Sequence, residues 1–249
     1  MISEIENILK EVSTSIIMNK EIENELTYYS KDIVTKKDVD SERLIIEKIK
    51  SFRPHDSFIS EEENHNDMTD APTWIIDPID GTLNFTRGIP QFGIQLALCL
   101  EKKPIFSAMY FPLSETYIYA KKNNGCFINH KRVYFSEAKP LDQSIVTFGD
   151  FSKSQPLSRP IQLELISKLM DEVMKVRIYG ASSTDFAYIV SGKTQAHILF
   201  TKRIWELMPG ILMIKESGLS IESIAFKTCD GFIMGHKDIV EQLKEISSR

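Results

Sequence analysis

Residues 73–85 read Thr-Trp-Ile-Ile-Asp-Pro-Ile-Asp-Gly-Thr-Leu-Asn-Phe, and this stretch constrains the chain more than any other. The apolar run Trp74-Ile75-Ile76 has no helical spacing and a high β-propensity, so it reads as a buried strand that Pro78, lacking a ladder N–H, should end. Asp77 and Asp80 then leave the strand together. On a continued strand, residues three apart point to opposite faces, but a turn brings their carboxylates together. Converging carboxylates share either a proton or a cation, and ligation by oxygen alone suits a hard ion such as Mg²⁺. Gly81 permits close backbone approach, and a helix starting at Thr82 would aim free N–H groups at an anion. A cation beside an anion cradle suits hydrolysis of a phosphate ester. Asp, Pro and Gly are also the commonest turn residues, so an ordinary turn is the alternative on this stretch alone.

Two further segments weigh against that alternative. Ser57-Phe58-Ile59-Ser60 runs into the acidic triplet Glu61-Glu62-Glu63, and Trp205-Glu206-Leu207-Met208-Pro209-Gly210 places a carboxylate at a helix entry. In this order and spacing, with Asp32-Ile33-Val34-Thr35, Asp38 and Glu42 upstream and Arg177 to Gly180 downstream, the segments resemble the inositol monophosphatase family of metal-dependent, lithium-sensitive phosphatases. The resemblance covers nearly the whole chain, and the block Asp77 to Phe85 is its most specific part.

The resemblance implies an α/β fold of layered α-β-α-β-α type. Its N-terminal half would run over residues 1–140 and carry most metal ligands, and its C-terminal half over 141–249 would carry Glu206. It implies that Glu61, Asp77 and the Ile79 carbonyl hold one Mg²⁺, and that Asp77, Asp80 and Glu206 hold a second. A third, weaker ion is assigned to Glu61 or Glu62. Thr82, paired with Asp38, would position the attacking water with Glu61, and the Gly81 and Thr82 amides would hold phosphate oxygens. Gly180, Ala181 and Ser182 would form a substrate-contacting turn. Inhibition by Li⁺ and a homodimer are further implications. Asp38 has a second reading as a helix-capping acid.

The chain departs from the family at two places. Glu206 stands where an aspartate is usual, and Leu199 where relatives carry a glutamate that contacts inositol hydroxyls. Lys202 and Arg203 fill the intervening turn, either as a solvated basic turn or as contacts for a second phosphate. The second reading predicts that a substrate with two anionic groups is preferred over inositol 1-phosphate. Both departures also leave open a catalytically weakened relative that acts as a regulatory or binding protein.

A chain of 249 residues with 42% hydrophobic content can bury a substantial core, and its net charge of −5 argues against a nucleic-acid polymer or a membrane surface as partner. The expected partner is a small phosphate monoester. Cys99, Cys126 and Cys229 are odd in number and widely spaced, which fits a reducing compartment without structural disulfides. With neither a signal peptide nor a long apolar span in the sequence, a cytoplasmic protein is expected.

Apolar spacing predicts an amphipathic helix from residue 2 to about 26 and another from Asp38 through Ile49. Residues 64–72 read as a surface loop that leaves His65 solvated. Phe92–Leu100, Ile105–Tyr110 and Thr116–Ala120 read as an antiparallel meander. Cys126 to Arg132 has the Cys-x₅-Arg spacing of cysteine-dependent phosphatases, but without glycine it reads as a hairpin turning at Asn129-His130. Further expectations are a strand at 141–148, a loop at 150–160, helices at 160–174 and 183–191 with a serine cap on the latter, and a strand at 196–200. Helices at 207–216 and 237–246 complete the reading.

Overall fold

The computed structural model describes residues 1–20, 26–29, 32–135, 139–151 and 156–248. The first elements are α1 (Ile2–Val12), which continues as a π-helical turn (Ser13–Ile17), β1 (Leu26–Tyr29), β2 (Asp32–Thr35), α2 (Lys36–Phe52), β3 (Ser57–Ser60) and β4 (Thr73–Asp80). Then come the short α3 (Thr82–Thr86), β5 (Gly93–Leu100), β6 (Lys103–Phe111), β7 (Thr116–Lys121), β8 (Gly125–Ile128) and β9 (Lys131–Val133). The last are β10 (Ile145–Phe148), α4 (Ser158–Leu169), β11 (Lys175–Ile178), α5 (Ser182–Val190), β12 (Ala196–Leu199), α6 (Ile204–Glu216), β13 (Ser220–Ala225), β14 (Asp230–Gly235) and α7 (Lys237–Ser248).

β3 to β9 form a seven-stranded sheet in sequence order, and a five-stranded sheet has the order β11-β10-β12-β14-β13. Helices cover and separate them. α1 and α2 close the outer face of the first sheet around Ile5, Leu9, Ile45, Ile49, Trp74 and Leu96. α5 and α6 fill the space between the sheets, where Phe186 and Met213 meet Met109, Ile118 and Met234. α4 and α7 cover the far face of the second sheet around Leu165, Val146, Ile198 and Leu243. The expected α-β-α-β-α layering is therefore present, and burial of each such side chain contributes about 1.5–3 kcal/mol.

β4 is buried along its whole length because α2 packs on one face and α6 on the other. That explains its unbroken apolar run. α2 divides its burial differently: Lys37, Asp38, Ser41 and Glu42 are buried in its first turns and Ile45, Ile46 and Ile49 in its later ones. Its polar end thus points at the site, while its apolar end anchors the core. α6 packs close against α5 because Gly210 has no side chain; a Cβ there would lie 2.2 Å from the Phe186 ring.

The first helix is shorter than its spacing predicts: the π-helical turn ends at Ile17, and Leu26 already belongs to β1. Residues 21–25 of that expectation lie outside the described residues, as do 152–155 of the expected loop. Two boundaries move because a local pattern was only part of the element. Ser158 opens α4 inside the expected loop, and residues 141–143 make a helical turn before β10. α6 starts at Ile204 and not at 207, so Pro209 lies past the first turn of the helix. The meander and the Asn129-His130 hairpin are as expected, with both turn residues at positive φ.

Candidate active site

The site begins at an irregularity in β4. Asp77 pairs with Gln95 and Asp80 with Gly93, so three steps along β4 match two along β5. The extra residue is a β-bulge, and Pro78 is tolerated there because the pairing skips it. A bulge of one residue also resets the alternation of side chains, which lets Asp77 and Asp80 turn to the same side. Pro78 therefore kinks the strand and does not end it, contrary to its local reading.

Both aspartates are buried and joined by a chain of donors. Gln95 Nε2 donates to Asp77 Oδ2 at 3.2 Å and to Ser182 Oγ at 2.9 Å. Ser182 donates to Asp80 Oδ1 from its amide at 3.3 Å and its hydroxyl at 3.2 Å, and Ser183 donates to Asp80 Oδ2 from its amide at 2.7 Å. Asp80 thereby caps α5 from 102 residues away. The serines expected to cap this helix are donors instead, because Ala181 occupies the cap position and has no accepting side chain.

Asp38 combines its two readings. As the third residue of α2 it completes a capping box with Thr35, whose amide donates to Asp38 Oδ2 at 2.9 Å. Its other oxygen accepts from Thr82 Oγ1 at 3.0 Å. Thr82 Oγ1 is also 3.0 Å from the carbonyl of Ile79, so two acceptors compete for one hydroxyl proton. Gly81, at φ 85°, makes the turn between them, where a Cβ would meet Ala181 and the Gln91 carbonyl at 2.9 Å. Asn84 Nδ2 donates to the Tyr179 carbonyl at 2.8 Å, which ties the turn at Gly180 to α3.

Glu61 lies just past β3, where its amide continues the ladder to the Ile76 carbonyl at 3.2 Å. Buried Glu42 fixes the following loop by accepting from the amides of Glu62 at 2.9 Å and Glu63 at 3.0 Å. Glu206, in the first turn of α6, accepts from Thr201 Oγ1 at 2.5 Å. Arg203 Nη1 lies 3.2 Å from Glu61 Oε1 and 3.3 Å from Glu206 Oε1, while Lys202 is exposed on the turn. Arg203 thus faces the carboxylates and not the rim. Leu199 is buried with Phe186, Leu207 and Met234 in the layer between the sheets.

Electrostatics follow from this crowding. Burial raises the Asp77 carboxyl well above its usual range, and Glu61 and Asp80 push the same way. Burial raises Asp80 too, against the pull of its serine donors. Glu61 is pushed up to about 8 by burial, opposed by Arg203 and reinforced by Glu206 and Asp80. Glu206 is raised by burial and pulled back by Thr201 and Arg203. Asp38 is raised to about 6 by burial against its bonds from Thr35 and Thr82.

These groups suit a hard cation in kind. All donors are oxygen, and buried Asp77 Oδ1 has no hydrogen-bond partner. Among the described residues, no group of three or more acidic, His or Cys side chains that could hold a metal ion is already assembled. Holding an ion here would therefore require these side chains to close onto it. Cys126 takes no part: it is buried in the β8–β9 hairpin, where burial pushes its thiol up to about 12. His65 is exposed beside Trp205, with ring centroids 6.1 Å apart.

Three supporting residues escaped the sequence reading. Gln95 had a signal, as the one polar side chain in the apolar run of β5. Ser183 and Thr201 had none, since serine and threonine beside helix starts are ordinary.

The inositol monophosphatase family model matches residues 3–246. An inositol-1-monophosphatase of Caulobacter vibrioides is 33% identical over 186 residues, 74% of this chain and 72% of its own. A Thermotoga maritima relative named fructose-1,6-bisphosphatase/inositol-1-monophosphatase is 26% identical over 82% of this chain and 80% of its own. Among solved structures, the extragenic suppressor protein suhB of Bartonella henselae superposes with a TM-score of 0.86 at 24% identity, covering 99% of this chain and 98% of that one. An IMPase/NADP phosphatase complexed with Mg²⁺ and phosphate gives 0.79 at 24% identity, covering 98% and 90%. On the family match over nearly its whole length, the chain belongs to the inositol monophosphatase family.

Proposed function

We propose that this protein hydrolyses small phosphate monoesters with Mg²⁺ as cofactor. The observation that carries this reading is the Thr82–Asp38 hydroxyl–carboxylate pair set beside the buried carboxylates of β4. Asp77, Asp80, Glu206, Glu61 and the Ile79 carbonyl would hold two ions, with Glu62 at the edge for a third. Bound Mg²⁺ would neutralise phosphate charge and make water a better nucleophile near neutral pH.

The remaining work falls to the chain itself. Asp38 orients the Thr82 hydroxyl by accepting its proton, which leaves the Thr82 oxygen free to accept from a water. The Gly81 and Thr82 amides face the phosphate, and the turn Gly180–Ser182 closes the substrate side. Gln95 and the serines of α5 hold Asp77 and Asp80 in place. Leu199 faces the apolar layer and offers nothing to a sugar hydroxyl, which disfavours inositol monophosphate. We infer a preference for a second anionic group, in line with the bisphosphatase and NADP phosphatase names of the two relatives above.

A second reading has its own support: Arg203 and Glu206 change the metal end of the site, and one structural neighbour is named for suppression and not for catalysis. Here the protein would bind or regulate with little turnover. Phosphate release from a panel including inositol 1-phosphate, a sugar bisphosphate and a 2′-phosphorylated nucleotide, with and without Mg²⁺, separates the two. Mg²⁺-dependent release that vanishes in Asp77→Asn supports the phosphatase. No release from any substrate by folded protein sinks it.

A further inference from the structure

We infer that Asn84 is a positioning residue for the substrate: it sets the register of the turn at residues 179–182 against the turn at Gly81 and Thr82. The inference deepens the phosphatase reading above and rests on it.

The two turns meet along a seam that no strand ladder sets, because β4 and β11 belong to different sheets. At one end, Asp80 accepts from the amides of Ser182 at 3.3 Å and Ser183 at 2.7 Å. In the middle, Gly81 lies so close to Ala181 that a Cβ on the glycine would come within 2.9 Å of the alanine Cβ. At the other end, Asn84 Nδ2 donates to the Tyr179 carbonyl at 2.8 Å, and a Cβ on Gly180 would lie 3.4 Å from the same nitrogen. Numbers rise along one segment as they fall along the other. Two side chains, Asp80 and Asn84, therefore pin opposite ends of the substrate turn.

The position of Asn84 demands a double donor. Its side chain is buried, and Nδ2 donates to the Gln91 carbonyl at 2.7 Å as well as to that of Tyr179. Both partners are carbonyl oxygens, which only accept, and a primary amide nitrogen offers them its two hydrogens. The Gln91 bond holds the side chain against its own loop, so the second hydrogen is aimed across the seam. Asp80 has the further task of facing the metal end of the site. Asn84 has none, so its loss separates substrate position from ion binding.

Each segment keeps its own support when the Asn84 side chain is removed. The Asn84 carbonyl still accepts from the amides of Arg87 at 3.1 Å and Ile89 at 2.9 Å. The Tyr179 ring stands edge-on to Tyr188 of α5, with centroids 5.0 Å apart. The loss therefore falls on the link between the turns. Contacts at residues 179–182 reach the substrate beyond its phosphoryl group and are alike in the bound and transition states, so weakening them raises KM and spares kcat.

The test uses the best substrate of the panel above, with saturating Mg²⁺, and inorganic phosphate as a competing ligand of the metal end alone. Asn84→Ala should raise KM about tenfold with kcat within about threefold of wild type, and inhibition by inorganic phosphate should not change. Asn84→Asp, equal in size but presenting an acceptor to the two carbonyls, should raise KM at least as much. Thr86→Ala, which removes a hydroxyl that bonds only within the same short helix, should match wild type. A KM unchanged in Asn84→Ala, a loss of phosphate inhibition equal to the rise in KM, a fall in kcat alone, or a wild-type KM in Asn84→Asp overturns the inference and leaves the phosphatase reading standing. An equal rise in KM in Thr86→Ala also overturns it, since any loosening of α3 would then suffice. No phosphate release by folded wild type overturns the phosphatase reading, and the inference falls with it. If Asn84→Ala does not fold, Asn84→Ser, whose single hydroxyl cannot serve both carbonyls, takes its place under the same criteria.

Discussion

Thr82 and Asp38, 44 residues apart, meet through a 3.0 Å hydrogen bond that joins the first turn of α2 to the first turn of α3. Asp38 is also tied to Thr35, so its carboxylate cannot turn away from Thr82 without opening the cap of α2. The Thr82 hydroxyl is consequently aimed by the helix start itself.

Replacing Thr82 by valine keeps shape and removes that hydroxyl. The expected outcome is a fall in kcat of about 10²–10³, within the range for a group that positions a proton in the transition state. Thr82→Ser should recover most of the loss. Asp38→Ala should lose activity and about 0.5–2 kcal/mol of stability, because the capping box goes with it. Steady-state kinetics and urea unfolding of the three variants check this; full kcat in Thr82→Val would refute the role.

From the sequence, Asp80 reads as a ligand whose amide variant would lose activity with the fold intact. The structure changes that expectation. Asp80 caps α5 through Ser182 and Ser183, and an amide in its place presents NH₂ toward one of those donors. Asp80→Asn should therefore lose Mg²⁺-dependent turnover and also about 1–3 kcal/mol of stability. An unfolding midpoint equal to wild type would show that the cap contributes nothing.

The raised carboxyl groups predict an unusual pH dependence of stability. A carboxyl whose folded pKa is raised keeps a proton that the unfolded chain has released, so stability falls as pH rises between the two values. For Glu61 that window runs from 4.5 to about 8, and Asp77, Asp80 and Glu206 shift in the same direction. Metal-free protein should accordingly lose Tm between about pH 5 and about pH 8. Mg²⁺ at a hundred times its Kd should restore about 2.7 kcal/mol at the upper end and much less at the lower. A Tm that rises across this interval without metal would contradict carboxyl groups raised by burial and, to a lesser extent, by one another.

Cys126→Ala should leave kcat within experimental error of wild type, because the thiol is sealed in the layer between the sheets and burial holds it protonated. Its cost should appear in stability alone, at about 1 kcal/mol for lost packing. Loss of turnover in the folded variant, or a phosphate trapped on sulfur, would replace the metal reading with cysteine chemistry.

The sequence by itself determined what depends on neighbours along the chain. Apolar spacing placed α1 and α2, alternation and turn residues placed the meander and the Asn129-His130 hairpin, and the Asp77 to Phe85 block with its acidic companions identified the family. Tertiary structure alone decided the relations between distant residues. The bulge at Pro78 exists because β4 is registered against β5, and neither strand encodes that register locally. Asp80 caps α5 across 102 residues, and Arg203 reaches Glu61 across 142. On the sequence the same arginine is either a solvated turn residue or a contact for a second phosphate; in the fold, its place 3.2 Å from Glu61 and 3.3 Å from Glu206 pairs it with two carboxylates. Local chemistry sets which bonds a residue can make, but which partner it meets follows from how the two sheets and their helices pack.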